Sequence, residues 1–125
     1  TIDGTLDIAY DLTQRQSLKS LEGLDSLEQV AGYVQIENCD LLEHLGGLDR
    51  LKEVGGSLSV YNNARLSSVE ALGGLQHVEL NFNILNNPYL PCDEAEMLVS
   101  ELGESVVGGE VSVLNNGEEV GASCP

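Results

Sequence analysis

This sequence predicts an α/β repeat fold. It should form a right-handed solenoid of about five coils, each of about 24 residues, with a parallel sheet and one C-terminal capping helix. Three observations predict it. Val30, Val54 and Val78 recur at a spacing of 24 residues, and further apolar columns repeat in register with them. Within each unit a short alternating stretch is followed by a track with an apolar residue at every third position. Near the C-terminus one stretch breaks this pattern and shows helical spacing instead.

Composition sets the bounds of this reading. A chain of 125 residues with 42% apolar content suits one domain, spanning 1–125. One Phe and no Trp make the core aliphatic, which favours thin stacked layers. The net charge of −16 repels phosphate backbones and anionic lipid, so nucleic acid is not expected as a partner. No apolar run has the length of a membrane span, so direct membrane insertion is not expected either.

The repeat is clearest from Val54 to Leu75. Val34, Leu58 and Phe82 share one column, and Ile36, Val60 and Ile84 a second. Leu42, Leu66 and Leu90 form another, while Leu45, Leu48 and Leu51 match Val69, Leu72 and Leu75. Alternation in Leu58-Ser59-Val60-Tyr61 predicts a strand with one buried face. Apolar residues at every third position suit tight turns better than an α-helix. Stacking then buries what no single coil can bury alone.

At the ends the pattern is modified. Gly4 to Ile8 matches Gly32 to Ile36 at a spacing of 28, so four extra residues within Ala9 to Ser17 should bulge outward. Val107, Val111, Val113 and Asn115 repeat Val54, Leu58, Val60 and Asn62, making 107–125 a last partial coil with its tail. Between these lies the helix, expected over 93–102, with Asp93 as cap and Glu96 three residues on. Its apolar face is Ala95, Leu98, Val99 and Leu102, and Gly103 is its stop.

Paired asparagines end the strands. Continued alternation turns Asn38, Asn62, Asn86 and Asn115 inward, as a structural ladder satisfying turn backbone groups. Asn63, Asn87 and Asn116 then suit left-handed backbone, with Cys39 replacing that second Asn. Of the three cysteines, Cys92 precedes the helix and Cys124 is penultimate. A disulfide between them would tie the tail over the cap, worth roughly 3 to 4 kcal/mol, and two reduced thiols are the alternative.

The pattern GxLxIxNNxxLxSLxGLxxLxxVxG resembles the receptor L-domain repeat, a leucine-rich-repeat-like solenoid. That repeat occurs in the ligand-binding lobes of insulin- and epidermal-growth-factor-type receptors and in bacterial secreted or lipid-anchored surface proteins. Asn86-Asn87-Pro88, Leu90-Pro91-Cys92 with an acidic helix, and Ser123-Cys124-Pro125 resemble the bacterial, particularly myxobacterial, version. The resemblance covers essentially the whole chain. It departs in the inserted first turn and at Leu80, where the repeat has Gly. The chain also lacks the cysteine-rich module of the animal receptors, so growth-factor binding is not carried over.

Alternation lists the outward positions of the main sheet. The candidate binding residues among them are Tyr33, Gln35, Glu37, Ser57, Ser59, Tyr61, Asn81 and Asn83. Aromatic and hydrogen-bonding side chains of this kind are what recognition surfaces favour. Thr5, Asp7, Ala9, Leu85, Glu110, Ser112 and Leu114 complete the face. Catalysis is not expected, since His44 and His77 have no matched Ser or Cys and the coils supply no cleft. No cofactor and no metal site are expected, Asp3, Asp7 and Asp11 being the nearest thing to a cluster.

These readings converge on a non-enzymatic extracellular binding module, secreted or at the cell surface, presenting its sheet face to a protein or glycan. The alternative is a structural spacer or self-associating surface domain with no small-molecule ligand. No cap precedes Ile2 over the layer of Leu6, Ile8 and Leu18, so the expected cover at the N-terminal end is self-association, a neighbouring domain or, locally, the insertion at Ala9 to Ser17.

Overall fold

The computed structural model describes Gly4, residues 6–9, 21–103 and 105–117. Within these the alternating stretches are strands and the regions between them are turns. The strands are β1 (Leu6–Ala9), β2 (Gln29–Val30), β3 (Val34–Glu37), β4 (Glu53–Val54), β5 (Leu58–Tyr61), β6 (His77–Val78), β7 (Phe82–Leu85) and β8 (Val111–Leu114). One α-helix, α1, spans Cys92–Leu102. Five strands pair in the order β1-β3-β5-β7-β8, and three short ones as β2-β4-β6. Every pairing is parallel.

Register in the larger sheet follows the sequence columns. Val34 pairs with Leu58 and Leu58 with Phe82, which in turn pairs with Val111. β1 joins at Leu6 opposite Val34, absorbing the longer first spacing. The segment that would form the expected bulge, residues 10–17, lies outside the described residues. In β3, β5 and β7 buried and half-buried residues alternate, with the apolar column inward. The smaller sheet contributes Val30, Val54 and Val78 to the same core.

The three-residue period has a direct backbone cause. Leu48 N–H donates to Leu45 C=O at 3.1 Å and Leu51 N–H to Leu48 C=O at 3.0 Å. Leu72 and Leu75 donate in the same way to Val69 and Leu72. Successive bonds across three residues bring every third side chain to one side, as 3-10 turns do. All of these residues are buried, and a formal 3-10 helix spans Glu70–Gly74.

Helix α1 replaces that track after β7. Ala95 and Leu98 are buried, and Val99 and Leu102 are half-buried. The helix packs on the Glu70–Gly74 turn and on β8. It begins one residue before the expected start, and Asp93 does not cap it. Pro91 occupies the cap position without a side-chain bond, its carbonyl accepting from Glu94 and Ala95 N–H. With the chain already committed to helix at Cys92, Asp93 falls in the first turn, where its Oδ1 accepts from Glu94 N–H at 3.0 Å. Gly103 ends the helix with φ 83° and donates its N–H to Val99 C=O.

The asparagine pairs correct the expected ladder. Asn38, Asn62, Asn86 and Asn115 are exposed and lie in left-handed backbone, with φ between 55° and 57°. Their partners Asn63, Asn87 and Asn116 are fully buried, and Cys39 occupies the same buried column. The physical reason lies in the backbone. Alternation holds only while φ stays negative, and one left-handed residue reverses which side the next residue faces. The ladder therefore runs through the second Asn of each pair.

Its bonds are regular. Asn63 Nδ2 donates to Ile36 C=O at 3.2 Å and to Asn87 Oδ1 at 3.1 Å. Asn87 Nδ2 donates to Val60 C=O and to Asn116 Oδ1, and Asn116 Nδ2 to Ile84 C=O. Each Oδ1 accepts a backbone N–H from the layer before, those of Cys39, Asn63 and Asn87 in turn. The exposed asparagines keep a simpler task. Asn38, Asn62 and Asn86 donate their N–H groups to Tyr61, Leu85 and Leu114, extending the strand ladder by one residue.

Candidate functional site

Because β3, β5 and β7 expose alternate residues and β8 pairs in register with β7, the outward positions form three rows across the sheet. The first row is Tyr33, Ser57, Asn81 and Glu110, flanking the strands; the middle row is Gln35, Ser59, Asn83 and Ser112. Glu37, Tyr61, Leu85 and Leu114 make the third. All eight candidate binding residues lie on this face. In β1 the backbone places Asp7 opposite Gln35, while Thr5 lies outside the described residues.

Neighbouring side chains on the face bind one another. Gln35 Nε2 donates to the Tyr61 hydroxyl at 3.0 Å, and Asn83 Nδ2 to Ser59 Oγ at 3.2 Å. Ser57 Oγ accepts from Asn81 N–H at 3.1 Å, and Asn81 Oδ1 from Glu110 N–H at 2.9 Å. Such bonds hold the side chains in place before any partner arrives. Carboxylates stand only at two corners of this four-stranded area, Glu37 and Glu110, and no Lys or Arg occupies it.

Leu80 shapes the face in a way its departure from the repeat only hinted at. Gly32, Gly56 and Gly109 occupy equivalent positions, and Leu80 is 53% exposed among them. With Tyr33, itself 44% exposed, it stands over a floor of Gly32 and Gly56. Gln35, Ser57 and Ser59 complete this shallow, open depression. A side chain at Gly56 would intrude here, since its Cβ would lie 3.1 Å from Tyr33 N.

Other reactive groups are dispersed. His44 is exposed and its Nδ1 accepts from Gly46 N–H at 3.0 Å, while His77 pairs with Glu79 at 2.6 Å. Cys39 is a fully buried thiol bonded to Glu37 C=O at 3.4 Å. Burial, followed by the nearby charges of Asp40 and Glu37, pushes its pKa up to about 11. Such a thiol is protonated at neutral pH and is a poor nucleophile. Among the described residues no group of three or more His, Cys, Asp or Glu is placed to hold a metal ion. Asp3 and Asp11 lie outside those residues. No described helix is long and apolar enough to cross a membrane. Of the expected disulfide, Cys124 is outside the described residues.

Comparison with known proteins matches residues 1–117 to the family model described as Receptor L domain. No curated protein and no solved structure matches the chain.

Proposed function

The chain belongs to the receptor L-domain family, and from that premise we propose that it is a non-enzymatic recognition module whose ligand lies on the outward face of β3, β5, β7 and β8. Receptor L domains are a ligand-binding module type. The observation that carries the reading is the ordered face itself: aromatic, amide and hydroxyl side chains already bonded to one another, from Gln35–Tyr61 to Asn83–Ser59. Preordered side chains lose less entropy when a partner binds.

The reading extends to architecture and location. The five strands of the larger sheet are successive layers of a right-handed solenoid of five coils, closed at one end by α1. The module works outside the cytoplasm, secreted or held at the cell surface by a lipid anchor in a longer precursor, as in the bacterial, myxobacterial-type version. A Cys92–Cys124 disulfide suits that compartment.

A spacer or self-associating domain is the second reading, favoured by the apolar exposure at the β8 edge, where Val111 is 42% and Leu114 45% exposed. One experiment separates the two. Beads coated with the chain are scored for adhesion to the cells that produce it, alongside beads carrying the Tyr33→Ala/Tyr61→Ala double variant. A recognition face predicts adhesion that the variant loses at an unchanged melting temperature. Equal adhesion by both would remove this face as the site.

A further inference from the structure

We infer that the occupant of this face is a neutral polysaccharide strand lying across the β-strands, an inference that rests on the recognition reading above. Charge is the first argument. The chain carries −16 overall, yet the middle row from Gln35 through Ser59 and Asn83 to Ser112 is uncharged, Asp7 standing beyond it at the β1 edge. A polyanion meets the repulsive field of the whole molecule, while a polycation finds carboxylates only at the margins of the face. Neutral chemistry is what remains favoured at its centre.

Spacing and shape agree with this. Parallel strands repeat at about 4.8 Å, so the middle row offers one amide or hydroxyl per step across the sheet. That step is close to the length of one sugar ring along an extended polysaccharide. Amides and hydroxyls both donate and accept, as sugar hydroxyls require of their partners. Tyr33 and Leu80, exposed over the Gly32–Gly56 floor, provide apolar surface for the C–H face of a sugar ring. The depression is open rather than enclosed, which suits a surface-lying chain better than a small enclosed ligand.

Native gels cast with neutral hydroxyethylcellulose, laminarin or glucomannan test this, with polygalacturonate as the anionic gel and glycol chitosan as the cationic one. The intact chain is expected to be retarded by at least one neutral polysaccharide and not by polygalacturonate, with glycol chitosan as the control for attraction by net charge alone. Tyr33→Ala should weaken that retardation roughly tenfold while melting as the parent does, and Ser59→Arg should weaken it as much while remaining folded. Retardation in no neutral gel overturns the polysaccharide inference and leaves the face to the adhesion test. Retardation by glycol chitosan alone also overturns it, since net charge would then explain binding. Neutral-gel retardation unchanged in both variants would place the sugar elsewhere and defeat the recognition reading of this face.

Discussion

Asn62 and Asn63 are chain neighbours with identical side chains, yet one is exposed in left-handed backbone and the other is buried with every polar atom engaged. Asn62 is chosen for its backbone, Asn63 for its amide. What separates them is a single positive φ at the strand end, repeated in each layer. The same substitution should therefore have different consequences at the two positions, and their difference is the most direct handle on how the layers are held together.

The largest effect is expected at the buried position. Asn63→Ala strands the Cys39 N–H and the Ile36 carbonyl in the core, and the loss should reach about 3 kcal/mol in urea unfolding. Asn62→Ala keeps the ladder but puts a Cβ into left-handed backbone without the local polar compensation that Asn supplies. It should cost about 1 to 2 kcal/mol. Asn62→Gly should be nearly neutral, since Gly adopts that conformation freely. Should Asn62→Gly destabilise as much as Asn63→Ala, the assignment of the ladder to the second asparagine is wrong.

A second contrast concerns glycines. Gly55 lies where an added Cβ would come 2.1 Å from the Ala31 carbonyl oxygen, so the backbones of adjacent layers approach too closely for any side chain. Gly73 has nothing within 4 Å of the same position. Gly55→Ala should cost about 1 to 3 kcal/mol as layers are pushed apart, and Gly73→Ala should stay within about 0.5 kcal/mol. Paired melting curves would show it, and equal shifts would contradict the close stacking of these layers.

How much of this was legible in the sequence follows from the same physics. Columns such as Val34, Leu58 and Phe82 were readable because a parallel register preserves the spacing of the repeat. The orientation of the asparagines was not, because extrapolating alternation past Val60 assumes extended backbone through Asn62. One signal was present: Cys39 occupies the second place of its pair, and a cysteine belongs in a buried column more readily than in left-handed backbone. The helix start was displaced for a comparable reason, Pro91 rather than Asp93 taking the cap position. The outward positions of the sheet were legible residue by residue, whereas the depression beside Leu80 and Tyr33 needed the layers brought into register.

Cys39 closes the buried column where the other layers have Asn, and it makes the comparison pH-dependent. Its pKa rises from an ordinary 9.0 to about 11 on folding. The unfolded chain therefore binds fewer protons at this thiol than the folded one between those values. Its contribution to stability is intact below pH 9 and is lost as pH rises toward 11. The urea midpoint of the parent should consequently fall more steeply between pH 8 and 10.5 than that of Cys39→Ala. Parallel slopes would show that the thiol ionises equally well in both states.

The smallest effects on stability belong to the outward rows, and their smallness matters for function. Tyr33 is 44% exposed and lies outside the buried core, so Tyr33→Ala should change the unfolding free energy by no more than about 0.5 kcal/mol. Asn83→Ala removes one half-buried bond to Ser59, whose hydroxyl then turns to water, and the expected loss is about 0.5 to 1 kcal/mol. A face so weakly coupled to folding is under little structural constraint in its residue types. If both substitutions instead destabilise as strongly as Asn63→Ala, the outward bonds are part of the scaffold, and the polar order of this face would no longer argue for a ligand.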